Sequence, residues 1–169
     1  MLEAGRAILD ALAQPGTPGR EERVAEAVPA VFDFWSLKFF RATYDDLKSS
    51  GSLEVLQSTE LRVALAEFDA LAVSDVAIGE QLVRDEWLQL VRPYLGRTIS
   101  SDVYLTPSIR EALGVPPYPR VGRVDAVMGD LEFWNLVTVR ILLEQGRRGT
   151  FLQTREVAAR IVELTAQAR

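Results

Sequence analysis

Between Thr59 and Val91 the apolar residues Leu61, Leu65, Phe68, Ala72, Val76, Leu82, Trp87 and Leu90 recur at the spacing of a helix turn, not with strand alternation. A second run, Leu131, Trp134, Val137, Ile141, Leu142, Phe151, Leu152, Val157, Ile161 and Leu164, has the same character and is read as the buried side of a C-terminal helix. Two long helices are therefore expected, over 59–92 and 130–168. Pro93 is expected to stop the first, which would be roughly 50 Å long, and Gly79 to bend it. Asp130 is expected to cap the second, which is read as one helix despite Gly146 and Gly149.

The remaining signals are also helical. Leu2, Ile8, Leu9 and Leu12 mark a first helix that ends at Pro15-Gly16. Thr17 is read as the next N-cap with Pro18 at the first helical position, and Pro29 as a bend in a helix running to about Trp35. Residues 2–36 thus form an N-terminal helical hairpin, and 43–57 short helices. In the latter, Thr43 to Asp46 has capping-box spacing, Gly51 supplies a left-handed terminator, and Ser52 and Ser58 read as successive caps. Residues 96–124 form a long Pro-rich loop holding one turn of helix, with Thr106 as cap, Pro107 first and Gly114 last. The fold class these signals give is all-α: a single domain over 1–169, an elongated antiparallel bundle of two long helices, the hairpin and short connectors.

Composition narrows the chemistry. The 169 residues include no His and no Cys. That removes Ser-His-Asp and Cys-His nucleophiles, disulfides, and most zinc and iron sites. With 48% apolar and 25% charged residues the chain is globular, and its formal charge is −5. The basic residues are dispersed, Arg147-Arg148 being the one adjacent pair, so neither nucleic acid nor an anionic membrane surface is an expected partner. The longest apolar stretches, Leu61–Val73 and Leu136–Leu143, are interrupted by polar residues and too short to span a bilayer. No cofactor, metal site or catalytic residue is expected.

Three groups of residues remain as candidate sites. In Thr43, Tyr44, Asp45, Asp46, Leu47, Ser50 and Gly51, the structural reading has Thr43 and Asp46 capping, Tyr44 and Leu47 packing, and Gly51 closing the helix. The functional reading makes Tyr44, Asp45 and Asp46 a ligand-facing edge. Tyr104, Leu105, Val115, Tyr118 and Val121, aromatic and apolar residues on a proline-rich segment, suit a protein-contact loop. Trp35, Phe39, Phe40, Trp87 and Trp134 suit either core packing or a groove for an apolar ligand. The adjacent acids Glu21-Glu22, Asp45-Asp46 and Asp85-Glu86 diverge by about 100° on a helix and read as solvated faces, not a paired-carboxylate site.

The stretch Thr43-Tyr44-Asp45-Asp46-Leu47-Lys48-Ser49-Ser50-Gly51-Ser52-Leu53, followed by Ser58-Thr59-Glu60-Leu61-Arg62, resembles a bacterial membrane-anchored family to which no activity is assigned. In that family a Thr-Tyr-x-x-Leu-x-x-Ser-Gly motif precedes an Asn/Ser-x-Glu-Leu-Arg helix start. Its later Asp-x-Glu-Phe segment is similar to Gly129-Asp130-Leu131-Glu132-Phe133-Trp134-Asn135-Leu136. The resemblance implies a transmembrane helix and a long charged helix ahead of a domain outside the cytoplasm. The expectation is that this chain begins in the tail of that charged helix, its anchor lying before Met1. A gene that starts at Met1 with no upstream apolar run of about 20 residues would contradict it.

Two function classes remain. The first is a non-catalytic, periplasmic helical module that binds a protein partner or signal, with self-association as a homodimer among its forms. The second is a bundle that binds a small molecule or lipid in an apolar cavity. A hydrolase working with carboxylates alone is the remote third, and would need two of them in one cleft.

Overall fold

A computed structural model of the chain describes residues 1–33, 42–53, 55–99, 107–114 and 124–167. It is all-α, with no strand among the described residues. The helices are α1 (Leu2–Ala13), α2 (Arg20–Phe32), α3 (Ala42–Ser49), α4 (Thr59–Ala70), α5 (Ala77–Glu86), α6 (Arg92–Thr98), α7 (Pro107–Leu113) and α8 (Leu131–Gln167). Wide π-helical turns at Leu71–Val76 and Trp87–Val91 join α4 to α5 and α5 to α6. A 3-10 turn covers Val124–Val127. Two compact units result: unit 1 comprises Met1–Trp35 and Leu82–Gln145, unit 2 Ser36–Gln81 and Gly146–Arg169.

Unit 1 holds the larger core. Ile8 and Ala11 of α1 meet Val24, Val28, Val31 and Phe32 of α2 in a packed hairpin. Val91, Tyr94, Leu95 and Ile99 close it from α6 and its flanks, and Phe133, Leu136, Val137 and Ile141 from α8. The Phe133 ring lies 6.2 Å from Phe32 and 6.1 Å from Tyr94, within the range of favourable ring pairs. Close approach sets where α1 meets α8: a Cβ on Gly5 would stand 2.7 Å from Ile141 Cγ1. Unit 2 has a leaner interior of Leu61, Ala64, Leu71, Ala72, Val76 and Val157, shared with Arg147 and Thr154. Its α4–α5 and α8 segments run antiparallel, since Glu67 pairs with Arg160 and Glu80 with Arg147, thirteen residues apart on each side.

Local punctuation decides several boundaries. Ser58 caps α4, its hydroxyl accepting from the Leu61 N–H at 3.2 Å. Asp130 caps α8, its Oδ1 accepting from the Glu132 N–H at 2.8 Å. Gly51 and Gly114 sit at φ +72° and +63°, just past α3 and α7. Gly146 and Gly149 leave α8 a single 37-residue helix, about 55 Å along its axis.

Other boundaries differ from the sequence expectation. Gly19 at φ +71° precedes α2, so the helix starts at Arg20 and Thr17 lies in the turn before it. Thr43 is the second residue of α3, not its cap, and Ser52 starts a turn whose carbonyl accepts from the Val55 N–H. Pro93 does not stop the helix beginning at Thr59. The Arg92 N–H reaches back five residues to the Trp87 carbonyl, and this wide turn takes the proline ring at the start of α6, which runs to Thr98. Residues 96–98, expected to open the Pro-rich loop, therefore belong to α6.

Each π turn also rotates the helix beyond it. Leu82 and Leu90, expected inside, are 51% and 52% exposed, while Val83, Glu86 and Val91 take the buried positions. On α8 the expected buried residues Leu131, Leu142 and Leu152 face outward, and Arg140, Arg147 and Thr154 stand inside at seven-residue intervals with Phe133.

Candidate functional site

The motif of α3 is built by backbone geometry. The Ser50 hydroxyl donates to the Leu47 carbonyl at 3.3 Å and shares a 2.8 Å hydrogen bond with the Ser52 hydroxyl. The Leu53 N–H returns to the same Leu47 carbonyl, wrapping the chain around Gly51. Tyr44 and Leu47 are half-buried, while Thr43, Asp45 and Asp46 are exposed. Lys48 reaches Asp69 of α4 at 3.5 Å, a tie that exposure keeps weak. Asp45 and Asp46 are neighbours in one helix, and among the described residues no third acid joins them in a metal-binding group.

Five expected contact residues, Tyr104, Leu105, Val115, Tyr118 and Val121, lie outside the described residues, as do Trp35, Phe39 and Phe40. Trp87 is half-buried against the unit 1 core and Trp134 is half-buried on α8.

Most of the polar chemistry that spacing arguments missed is internal. In unit 1 Arg140 is 2% exposed. Its Nε donates to the Val31 carbonyl at 3.1 Å, Nη2 to the Asp33 carbonyl at 2.7 Å, and Nη1 to Glu86 Oε2 at 3.4 Å. The guanidinium thus satisfies carbonyls at the end of α2, which lack partners within their own helix. Glu86, 6% exposed, offsets its charge, so the Asp85-Glu86 pair is not the solvated face expected of it. Glu86 Oε1 is buried with no hydrogen-bond partner among the described residues. Burial raises the Glu86 carboxyl above its ordinary value, against the lowering pull of Arg140. The signal for Arg140 was its place amid Val137, Val139, Ile141 and Leu142, where an arginine interrupts an apolar run.

Also in unit 1, Tyr94 donates its phenol hydrogen to Asp130 Oδ2 at 2.5 Å. This bond, with the backbone N–H groups of Glu132 and Phe133, holds the Asp130 carboxyl below the usual carboxylate range. Burial and the neighbouring carboxylate push the Tyr94 phenol well up.

In unit 2, Arg147 Nη2 meets Glu80 Oε1 at 2.6 Å, and its guanidinium lies 5.5 Å from the Phe151 ring centroid. Nearer the end of α8, Arg160 pairs with Glu67 of α4. Between α4 and α8 lies a groove of about 380 Å³, open along one side and mostly apolar. It is lined by Thr59, Glu60, Val63, Glu67, Arg160 and Leu164. Among the described residues no three acids gather to hold a metal ion, and no helix is long and apolar enough to cross a membrane.

Compared with protein-family models, curated proteins and solved structures, the chain matches none.

Proposed function

We propose that this chain is a non-catalytic helical module that binds a partner protein or signal, as the extracytoplasmic portion of a membrane-anchored bacterial protein. One observation carries the binding role. On the unit 1 part of α8, Leu131, Val139 and Leu142 are 71%, 39% and 61% exposed. Their spacing places them on one side of the helix with Asn135 and Thr138. Single exposed leucines need no explanation, but Leu131, Val139 and Leu142 share one side of the helix, broken by Asn135 and Thr138, and apolar surface gathered on one side supports an interaction face. The location rests on the motif resemblance, which puts the anchor ahead of the domain.

The small-molecule alternative draws on the unit 2 groove, whose volume lies in the range of ligand sites. Its open side and the Glu60 carboxylate suit it less well to an enclosed apolar molecule. For a carboxylate hydrolase, Glu86 is the acid with the raised pKa, yet it is buried against a guanidinium rather than facing a second acid across a cleft.

The test is a photoreactive amino acid at Asn135 in cells that produce the full protein. The expected result is one dominant adduct, lost when Leu142→Glu is added. An adduct of two copies of the chain identifies the partner as the homodimer. No adduct, or many adducts indifferent to Leu142→Glu, would overturn the reading.

A further inference from the structure

The polar break in the exposed side of α8 decides what can cover it. Leu131, Asn135, Thr138 and Leu142 follow one another at intervals of four, three and four residues, the spacing at which one helix meets another along a seam. Leucines 71% and 61% exposed stand at the two ends, and the polar residues fill the middle. The order is the same read from either end.

Charge on this stretch is slight. Arg140 is turned into the core and engaged there, which leaves Glu132 as the one charged residue exposed between Leu131 and Leu142. A single carboxylate at one end gives a strongly acidic or basic surface no pattern to match. The polar pair does discriminate. A purely apolar cover would strand a carboxamide and a hydroxyl oxygen away from water. The Thr138 hydroxyl donates to the Trp134 carbonyl at 2.9 Å, so what it offers outward is an acceptor. Asn135 is exposed, and its carboxamide carries two N–H donors.

Donor and acceptor complement one another when two copies lie antiparallel. Asn135 of each copy then faces Thr138 of the other, and each Leu131 faces a Leu142. The two Glu132 carboxylates stand nine residues out of step, roughly 13 Å along the axis, where salt screens their repulsion. A parallel pair would set Thr138 against Thr138, two oxygens that have both given up their hydrogen.

We propose that this face of α8 pairs with the same face of a second copy of the chain, antiparallel about a twofold axis between Leu136 and Val137. The proposal rests on the partner-binding reading and names its partner. Three turns of helix bury less than the roughly 1,200 Å² of a standard interface, so the pairing is weak and reversible.

Sedimentation equilibrium of the purified chain should show an 18.8 kDa monomer giving way to dimer as the concentration rises towards about 1 mM. Leu131→Glu should weaken the dimer at least tenfold. Val162→Glu, at a similarly exposed apolar residue on the unit 2 part of α8, should leave it unchanged. The chain has no cysteine, so introduced thiols report the pairing alone. When Leu131→Cys and Leu142→Cys chains are oxidised together, the mixed disulfide should exceed either self-disulfide at least fivefold. A chain monomeric throughout, an equal loss from Val162→Glu, or self-disulfides in excess would overturn the proposal. If the chain is monomeric and its Asn135 photoadduct in cells is a different protein, the partner-binding reading stands without self-pairing; a monomeric chain with no adduct removes both.

Discussion

Arg140 holds three acceptors inside unit 1, and each has a different claim on it. Two are carbonyls at the end of α2 and the third is the Glu86 carboxylate. Arg140→Met should cost about 3–5 kcal/mol in chemical denaturation, because it strands a buried charge and two carbonyls. Adding Glu86→Leu should recover much of that loss, and a double variant no better than the single one would show that the pair is not coupled. Tyr94 and Asp130 make the opposite kind of pair, a phenol given to a carboxylate that also caps α8. Tyr94→Phe should cost about 0.5–1.5 kcal/mol near neutral pH, solvent at the Asp130 carboxylate screening the bond. Because Asp130 titrates below its ordinary 3.8, its contribution is present above that value and lost as pH falls through the lower folded one. The gap between wild type and Tyr94→Phe in thermal melts should therefore hold steady above 3.8 and narrow as pH is lowered beneath that value. Glu86 works in the other sense. Its folded pKa lies above 4.5, so its share of stability is fullest below that value and declines as pH rises through the folded one.

At the scale of helices, glycine has two meanings. Gly5→Ala gains helix propensity but drives a Cβ into the Ile141 side chain, and overpacking should leave it about 1–3 kcal/mol less stable. Gly146→Ala meets nothing within 4 Å and should gain about 0.5–1 kcal/mol. Denaturant midpoints of the two variants moving in the same direction would contradict this account of the helix contacts. The same contrast explains what the sequence made legible. Ser58, Asp130, Gly51 and Gly114 act within a few residues, so their roles can be read from neighbours alone. The π turns cannot be read that way, because a strict 3.6-residue period carried past Leu71 and Trp87 leaves Leu82 and Leu90 on the wrong side. On α8 an apolar-only pattern assigned Leu131, Leu142 and Leu152 to the interior and passed over Arg140 and Arg147. An arginine enters a core only when distant acceptors, here Glu86 and Glu80, are waiting for it. The candidate motif was legible as a local turn around Gly51. Its relation to a ligand was not, because that depends on what approaches Asp45 and Asp46 from outside.

Taken as a molecule, the chain spends several of its strongest polar groups on holding helices to helices and leaves apolar side chains on the outside. Unit 1 pairs a well-filled core with the stripe of Leu131, Val139 and Leu142; unit 2 pairs a lean core with an open groove. Here Glu86 is sealed against Arg140, and Asp130 is occupied by Tyr94 and the start of α8. On the proposed binding role, replacing the exposed apolar residues of α8 should leave folding intact while abolishing partner capture. The most direct measurement combines Leu131→Glu with Leu142→Glu and reads both the melting temperature and the yield of the Asn135 photoadduct. The account predicts a melting temperature within about 2 °C of wild type, as for surface substitutions, together with loss of the adduct. An undiminished adduct, or a fall in melting temperature of the size expected for a core residue, would contradict it.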